Sequence, residues 1–109
     1  MAELTVQVIT RADGGLEPTY EAADSGGDTV RVVRNLFLHV KNGDASPHTV
    51  TIVTPGTVGG LAIEDYTSTV PAGEERLNGP IGELFRASTG LASISYDGVT
   101  DVTVAAFRI

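Results

Sequence analysis

Few side chains in this 109-residue sequence could do chemistry, and their spacing limits what they could do. Two histidines, His39 and His48, flank the stretch Asn42-Gly43-Asp44-Ala45-Ser46-Pro47. Asn-Gly supplies the positive φ of a tight turn and Pro47 halts pairing, so residues 36–41 and 48–54 are expected to form a hairpin. In a symmetrical hairpin Lys41 faces His48 and His39 faces Val50, which makes the two imidazoles diagonal neighbours on one face. A shared metal would need a third ligand, and no pattern marks one, so both are read as solvent-face histidines.

Nucleophilic chemistry finds no better footing. Serines stand at 25, 46, 68, 88, 93 and 95, without a Gly-x-Ser-x-Gly elbow. The acid pairs Glu64-Asp65 and Glu74-Glu75 are adjacent, and neighbours on a strand point to opposite faces rather than converging as a dyad. Cysteine is absent, which removes thiolate metal sites, disulfides and cysteine nucleophiles. The expectation is a non-enzyme with no cofactor and no metal.

Composition bounds the partners. The formal net charge is −7, and the seven basic residues are scattered from Arg11 to Arg108. Nucleic-acid binding depends on clustered Lys and Arg neutralising phosphates, so that class is set aside. No stretch approaches the ~20 apolar residues that span a bilayer, so no membrane partner is expected. The first residues lack the basic cluster and apolar run of a signal peptide, and synthesis in the cytoplasm is expected.

The elements that must position these residues are strands. Val, Thr and Gly each occur thirteen times; the first two are β-branched strand formers and the third supplies turns. No window carries sustained three-and-four apolar spacing, so no long helix is predicted. Strands are predicted at 3–10, 29–33, 36–41, 48–54, 62–70, 75–77, 91–96 and 102–109, the first with Leu4, Val6 and Val8 on one face. A second hairpin is predicted between the last two strands, through residues 97–101. The fold expected is all-β: one antiparallel β-sandwich domain, jelly-roll-like or Ig-like, of seven to eight short strands with at most one helical turn.

Three segments fall outside these strands. Residues 11–28 are long and acidic, and Leu16, Pro18 and Tyr20 alternate along them as apolar anchors; the segment either covers an open end of the sandwich or serves as a contact arm. Residues 54–60 are Gly-rich but lack the Lys-Ser/Thr ending of a phosphate loop, so they read as a turn. In residues 79–85, Ile81, Leu84 and Phe85 have the spacing of one helical turn with Pro80 at its start, either plugging the sandwich edge or forming a contact knob.

Gly27-Asp28-Thr29-Val30, Asn35 and Pro47-His48-Thr49-Val50 resemble the Gly-Asp-x-Val … Asn … Pro-His-x-Val pattern of cupredoxins, which would map a copper ligand onto His48. That family's copper chemistry needs a thiolate, so the resemblance extends to a sandwich and no further. Across nearly its whole length the chain resembles small virion proteins of tailed bacteriophages and prophages that decorate or cement a capsid. The stretches that carry this are Met1-Ala-Glu-Leu-Thr-Val-Gln7, Phe37-Leu-His-Val-Lys-Asn-Gly43, His48-Thr-Val-Thr-Ile-Val-Thr-Pro-Gly-Thr57, Thr69-Val-Pro-Ala-Gly-Glu74, Gly79-Pro80, Ser93-Ile-Ser-Tyr96 and Val102-Thr-Val-Ala-Ala-Phe107. The resemblance implies a subunit on the capsid surface of a virion, bound to the major capsid protein or another virion protein and self-associating, with a trimer among the options. A head–tail connector or tail component, or a cellular ligand-binding β-sandwich, are the alternatives.

Overall fold

A computed structural model describes residues 2–109. Short β-branched runs between turn residues give twelve strands: β1 (Ala2–Leu4), β2 (Val6–Val8), β3 (Glu21–Ala22), β4 (Asp28–Arg31), β5 (Leu36–Asn42), β6 (His48–Ile52), β7 (Thr57–Val58), β8 (Leu61–Ala62), β9 (Tyr66–Val70), β10 (Glu75–Asn78), β11 (Leu91–Tyr96) and β12 (Val102–Arg108). Two 3₁₀ turns, Ala12–Gly14 and Glu83–Phe85, are the helical elements among the described residues. Sheet A has the order β1-β4-β11-β6-β9, and sheet B the order β10-β5-β12-β2, with β3 also pairing β12. The protein is an all-β sandwich. It has more and shorter strands than the sequence patterning suggests, and its β1–β4 and β12–β2 pairs are parallel.

The core lies between the sheets. Alternation puts Leu36, Leu38 and Val40 of β5 and Val102, Val104 and Ala106 of β12 against Val30, Val50, Ile52, Val70, Ala92 and Ile94 of sheet A, all essentially sealed from water. Burying each of the valines, leucines and isoleucines contributes about 1.5–3 kcal/mol.

Both predicted hairpins are absent. β5 belongs to sheet B and β6 to sheet A, so residues 43–47 form a crossover between layers. Residues 97–101 likewise carry the chain from β11 in sheet A to β12 in sheet B. The reason lies in strand length and in Asn42. β12 offers β5 a seven-residue antiparallel ladder from Leu36↔Arg108 to Asn42↔Val102, longer than five-residue β6 could supply. Asn42 is not a turn residue but the buried last residue of β5. Its Nδ2 donates to the carbonyls of Ser46 (2.9 Å) and Val70 (3.0 Å), and its Oδ1 accepts from the Asp44 N–H (2.9 Å). One amide thus ties sheet B to the crossover and to β9 of sheet A.

Two other strand boundaries move. The first predicted strand breaks at Thr5, where the chain leaves sheet A for sheet B; Leu4 is core, whereas Val8 is exposed. The predicted strand at 62–70 begins only at Tyr66, and the Gly-rich segment before it holds β7, which pairs β8 across Gly59-Gly60 in a small exposed hairpin. Both glycines have positive φ (+59° and +81°), the conformation that favours glycine at this turn.

Replacing Asn42 with Leu leaves the buried Val70 carbonyl without this partner and breaks the tie to Ser46. At about 1–3 kcal/mol per buried group left unpaired, the thermal midpoint should fall by roughly 10 °C or more. Calorimetry checks this; a shift of about 2 °C or less would remove Asn42 from its role as the tie between layers.

Candidate partner-binding face

The two sheets present different outer surfaces, because strand alternation sends different residue types outward. Outward positions of sheet A carry hydroxyls: Thr49 and Thr51 on β6, Thr67 and Thr69 on β9, and Ser93 and Ser95 on β11. Thr49 pairs with Thr69, and their hydroxyls lie 3.1 Å apart. Outward positions of sheet B divide: Lys41, Glu75 and Thr103 toward one end and Gln7 on β2 are polar, whereas Phe37, Leu77, Ala105 and Phe107 are apolar. Phe37 of β5 stands opposite Phe107 of β12 with ring centroids 5.7 Å apart, and His39 lies between Ala105 of β12 and Leu77 of β10.

Residues 15–20 run over this face as an extended strap, rather than closing an open end of the sandwich. Gln7, outward on β2, holds it at two points: its Nε2 donates to the Thr19 carbonyl (2.7 Å) and its Oε1 accepts the Thr19 N–H (2.9 Å). Tyr20 then lies on the sheet. Its ring meets His39 and Phe107 edge-on at 5.4 and 6.1 Å, and Lys41 Nζ stands 4.0 Å from its centroid. The Tyr20 hydroxyl is 2.7 Å from His39 Nδ1, and His39 Nε2 is 2.9 Å from Glu75 Oε1. The carboxylate calls for an N–H at Nε2, leaving Nδ1 to accept from the phenol.

Strap and sheet enclose an apolar groove of about 480 Å³, lined by Ile9, Leu16, Pro18, Phe37, Leu77 and Phe107 together with Tyr20 and His39. A second hollow of about 550 Å³, lined by Phe37, Leu77, Pro80 and Ile109, continues it along β10. Leu77 is 66% exposed and Ile109 71%, although both are large and apolar. Exposed apolar surface that is continuous, rather than scattered singly, is the mark of a contact site.

Leu16, Pro18 and Tyr20 therefore meet in one groove. Ile81, Leu84 and Phe85 do not converge: Ile81 is core, Phe85 packs half-buried against the core, and Leu84 alone points out. Pro80 lies ahead of the Glu83–Phe85 turn rather than at its start. Sequence reasoning missed Ile9, Phe37, Leu77 and Ile109. The available signal was β12, where Ala105 and Phe107 are as apolar as Val102 and Val104, so both faces of one strand avoid water.

The histidines are far from diagonal neighbours, since His39 is in sheet B and His48 in sheet A. His48 is clamped between Asp44 Oδ2 at Nε2 (2.9 Å) and Asp97 Oδ1 at Nδ1 (3.3 Å). The two carboxylates thus sit on opposite sides of the ring and share no point where an ion could bind. Among the described residues no group of three or more His, Cys, Asp or Glu is placed to hold a metal. Asp97 also accepts the Thr49 N–H (2.9 Å), so the clamp staples loops 43–47 and 97–101 together. Elsewhere the buried Asp28 accepts the Tyr96 O–H at 2.7 Å. Burial, reinforced by that bond to Asp28, pushes the phenol far above its usual range. The acid pairs divide as their spacing implies: Asp65 takes the Thr54 N–H, Glu74 pairs with Arg76, and Glu75 with His39.

Set against protein-family models, curated proteins and solved structures, the chain matches none. Its function must be read from its own surface.

The clamp fixes a pH response. The hydrogen bond to Asp44 raises the His48 pKa above 6.5, and the same bond lowers that of Asp44 below 3.8. The histidine's contribution is complete below pH 6.5 and is lost as pH rises through its folded value; the aspartate's is complete above 3.8 and is lost as pH falls. The thermal midpoint of the native chain should decline as pH rises above 6.5, and His48→Gln should flatten that decline. An unchanged slope in the variant would contradict the clamp.

Proposed function

We propose that this chain is a structural virion protein, a decoration or cement subunit made in the host cytoplasm. It binds the outside of a phage capsid through the outer face of sheet B and stabilises the shell. It performs no catalysis. The observation that carries this reading is the contrast between the two outer faces: a hydroxyl-covered sheet A suited to water, and a sheet B whose Phe37, Leu77 and Ile109 leave apolar surface in contact with solvent. A subunit added to a preformed shell needs one such contact face on a rigid domain. β10, an edge strand beside the groove, adds backbone groups for strand pairing with the major capsid protein. Many copies on one lattice bind by avidity, so each contact can be modest.

A second reading, a cellular ligand-binding sandwich, is favoured by the aromatic and imidazole lining of the groove, where Tyr20, Phe37, His39 and Phe107 meet. Quantitative mass spectrometry of purified particles separates the readings. Copy numbers comparable to the major shell protein, or a simple fraction of it, support decoration; a handful of copies moves the chain to the head–tail connector or tail; absence favours the ligand-binding module. Leu77→Asp forfeits the burial of one leucine, about 1.5–3 kcal/mol. It should weaken attachment to particles lacking the subunit by at least about tenfold while leaving the thermal midpoint nearly unchanged. Undiminished attachment would exclude sheet B as the docking face.

A further inference from the structure

The strand directions segregate the charge of this molecule. Loops 43–47, 71–74 and 97–101 lie at one end of the sandwich and bring Asp44, Glu74, Asp97 and Asp101 together there. At the opposite end, β4 terminates in Arg31, β12 in Arg108, and the Glu83–Phe85 turn runs into Arg86. The net charge of −7 is therefore weighted toward the first end, the acidic pole; the second, the arginine-bearing pole, also carries Glu64, Asp65 and Glu83.

Within that pole two guanidiniums converge. Gly90 has φ +87° and is buried beneath them: Arg31 Nη1 and Arg86 Nη2 lie 3.4 and 3.6 Å from the point where a Cβ on Gly90 would stand. Both guanidiniums thus pack over the turn at ordinary van der Waals distance from that point. Glu83 Oε2 is 3.8 Å from Arg86 Nε, and Arg31 enters no salt bridge among the described residues. The turn below is closed by Gly90 N–H to the Ala87 carbonyl (2.9 Å), and the backbone N–H groups of Ser88 and Thr89 bond to nothing among the described residues. Glu83 approaches Arg86 alone, so Arg31 is left to meet a further anion, and this chain has twice as many acidic as basic residues. Guanidiniums recognise carboxylates through paired N–H donors.

We infer that Arg31 and Arg86, set on the Ala87–Gly90 turn, form a carboxylate-binding site that seats the acidic end of a second copy of this chain. The two poles lie at opposite ends of the strands, so the contact is head to tail and generates a ring or a row rather than a two-fold pair. It is exposed and electrostatic, hence weak singly and sensitive to salt. It needs no capsid, so its test stands apart from that of the docking face.

Sedimentation velocity over a concentration series at low salt and in ~0.5 M NaCl reads the contact directly; association should appear at low salt and weaken at least tenfold in high salt. Two full-length variants complete the test, each checked for an unchanged melting curve. The double variant Arg31→Glu, Arg86→Glu removes both guanidiniums. The double variant Glu74→Lys, Asp101→Asn weakens the acidic pole while sparing Asp44 and Asp97, which hold His48. Each alone should associate at least tenfold more weakly than the native chain. Mixed in equal amounts they should form a one-to-one complex, because each still carries the pole that the other lacks. A chain that stays monomeric at every concentration, association untouched by the arginine substitutions, or a mixture that fails to re-form the complex would each overturn the inference.

Discussion

Asn42 governs how this chain divides between its two sheets. A buried amide must find partners, because leaving one unpaired costs a substantial part of a small domain's net stability. Asn42 finds them on Ser46 in the crossover and on Val70 in the opposite sheet, while its backbone remains in the β5–β12 ladder. With this residue fixed, residues 43–47 must leave sheet B, β6 must join sheet A, and β9 must run alongside it. The His48 clamp, bound to Asp44 of the same crossover and to Asp97 of the next one, closes that end of the sandwich.

The outer faces follow from that division. β5 pairs with β12 instead of β6, so Phe37 meets Phe107 on the outer face of sheet B, while the threonines of β6 and β9 collect on sheet A. The acidic strap is then a feature of sheet B. Gln7 and Tyr20 bed it down, yet Pro18 at its rim and Leu77 beside it stay exposed. The result is a rigid, partly apolar contact face on a domain whose opposite face and acidic end favour water. That combination suits a subunit added to the outside of another assembly.

Much of the fold was legible from alternation alone. The β-branched runs mark most strands, and Ala92, Ile94 and Tyr96 face the core as their spacing implies. Alternation does not reveal which strand pairs with which, and both hairpin expectations failed there. Asn42-Gly43 is an ordinary turn signal by sequence, but it acts here through a side chain whose partners lie 4 and 28 residues away. Of the candidate contact residues, Leu16, Pro18 and Tyr20 were legible because they alternate along one extended strip. Ile81, Leu84 and Phe85 were grouped by helical spacing, but a single 3₁₀ turn directs them to different surroundings. Leu77 and Ile109 could not be found without knowing that β10 and the C-terminus border the same groove.

The most direct test of the docking face is hydroxyl-radical footprinting of the chain free and bound to purified particles. Protection on Tyr20, Phe37 and Leu77, with Leu91 and Val53 on the sheet A side as reactive as in the free chain, is the predicted result. Protection of the sheet A residues while Phe37 and Leu77 remain fully reactive would contradict the account.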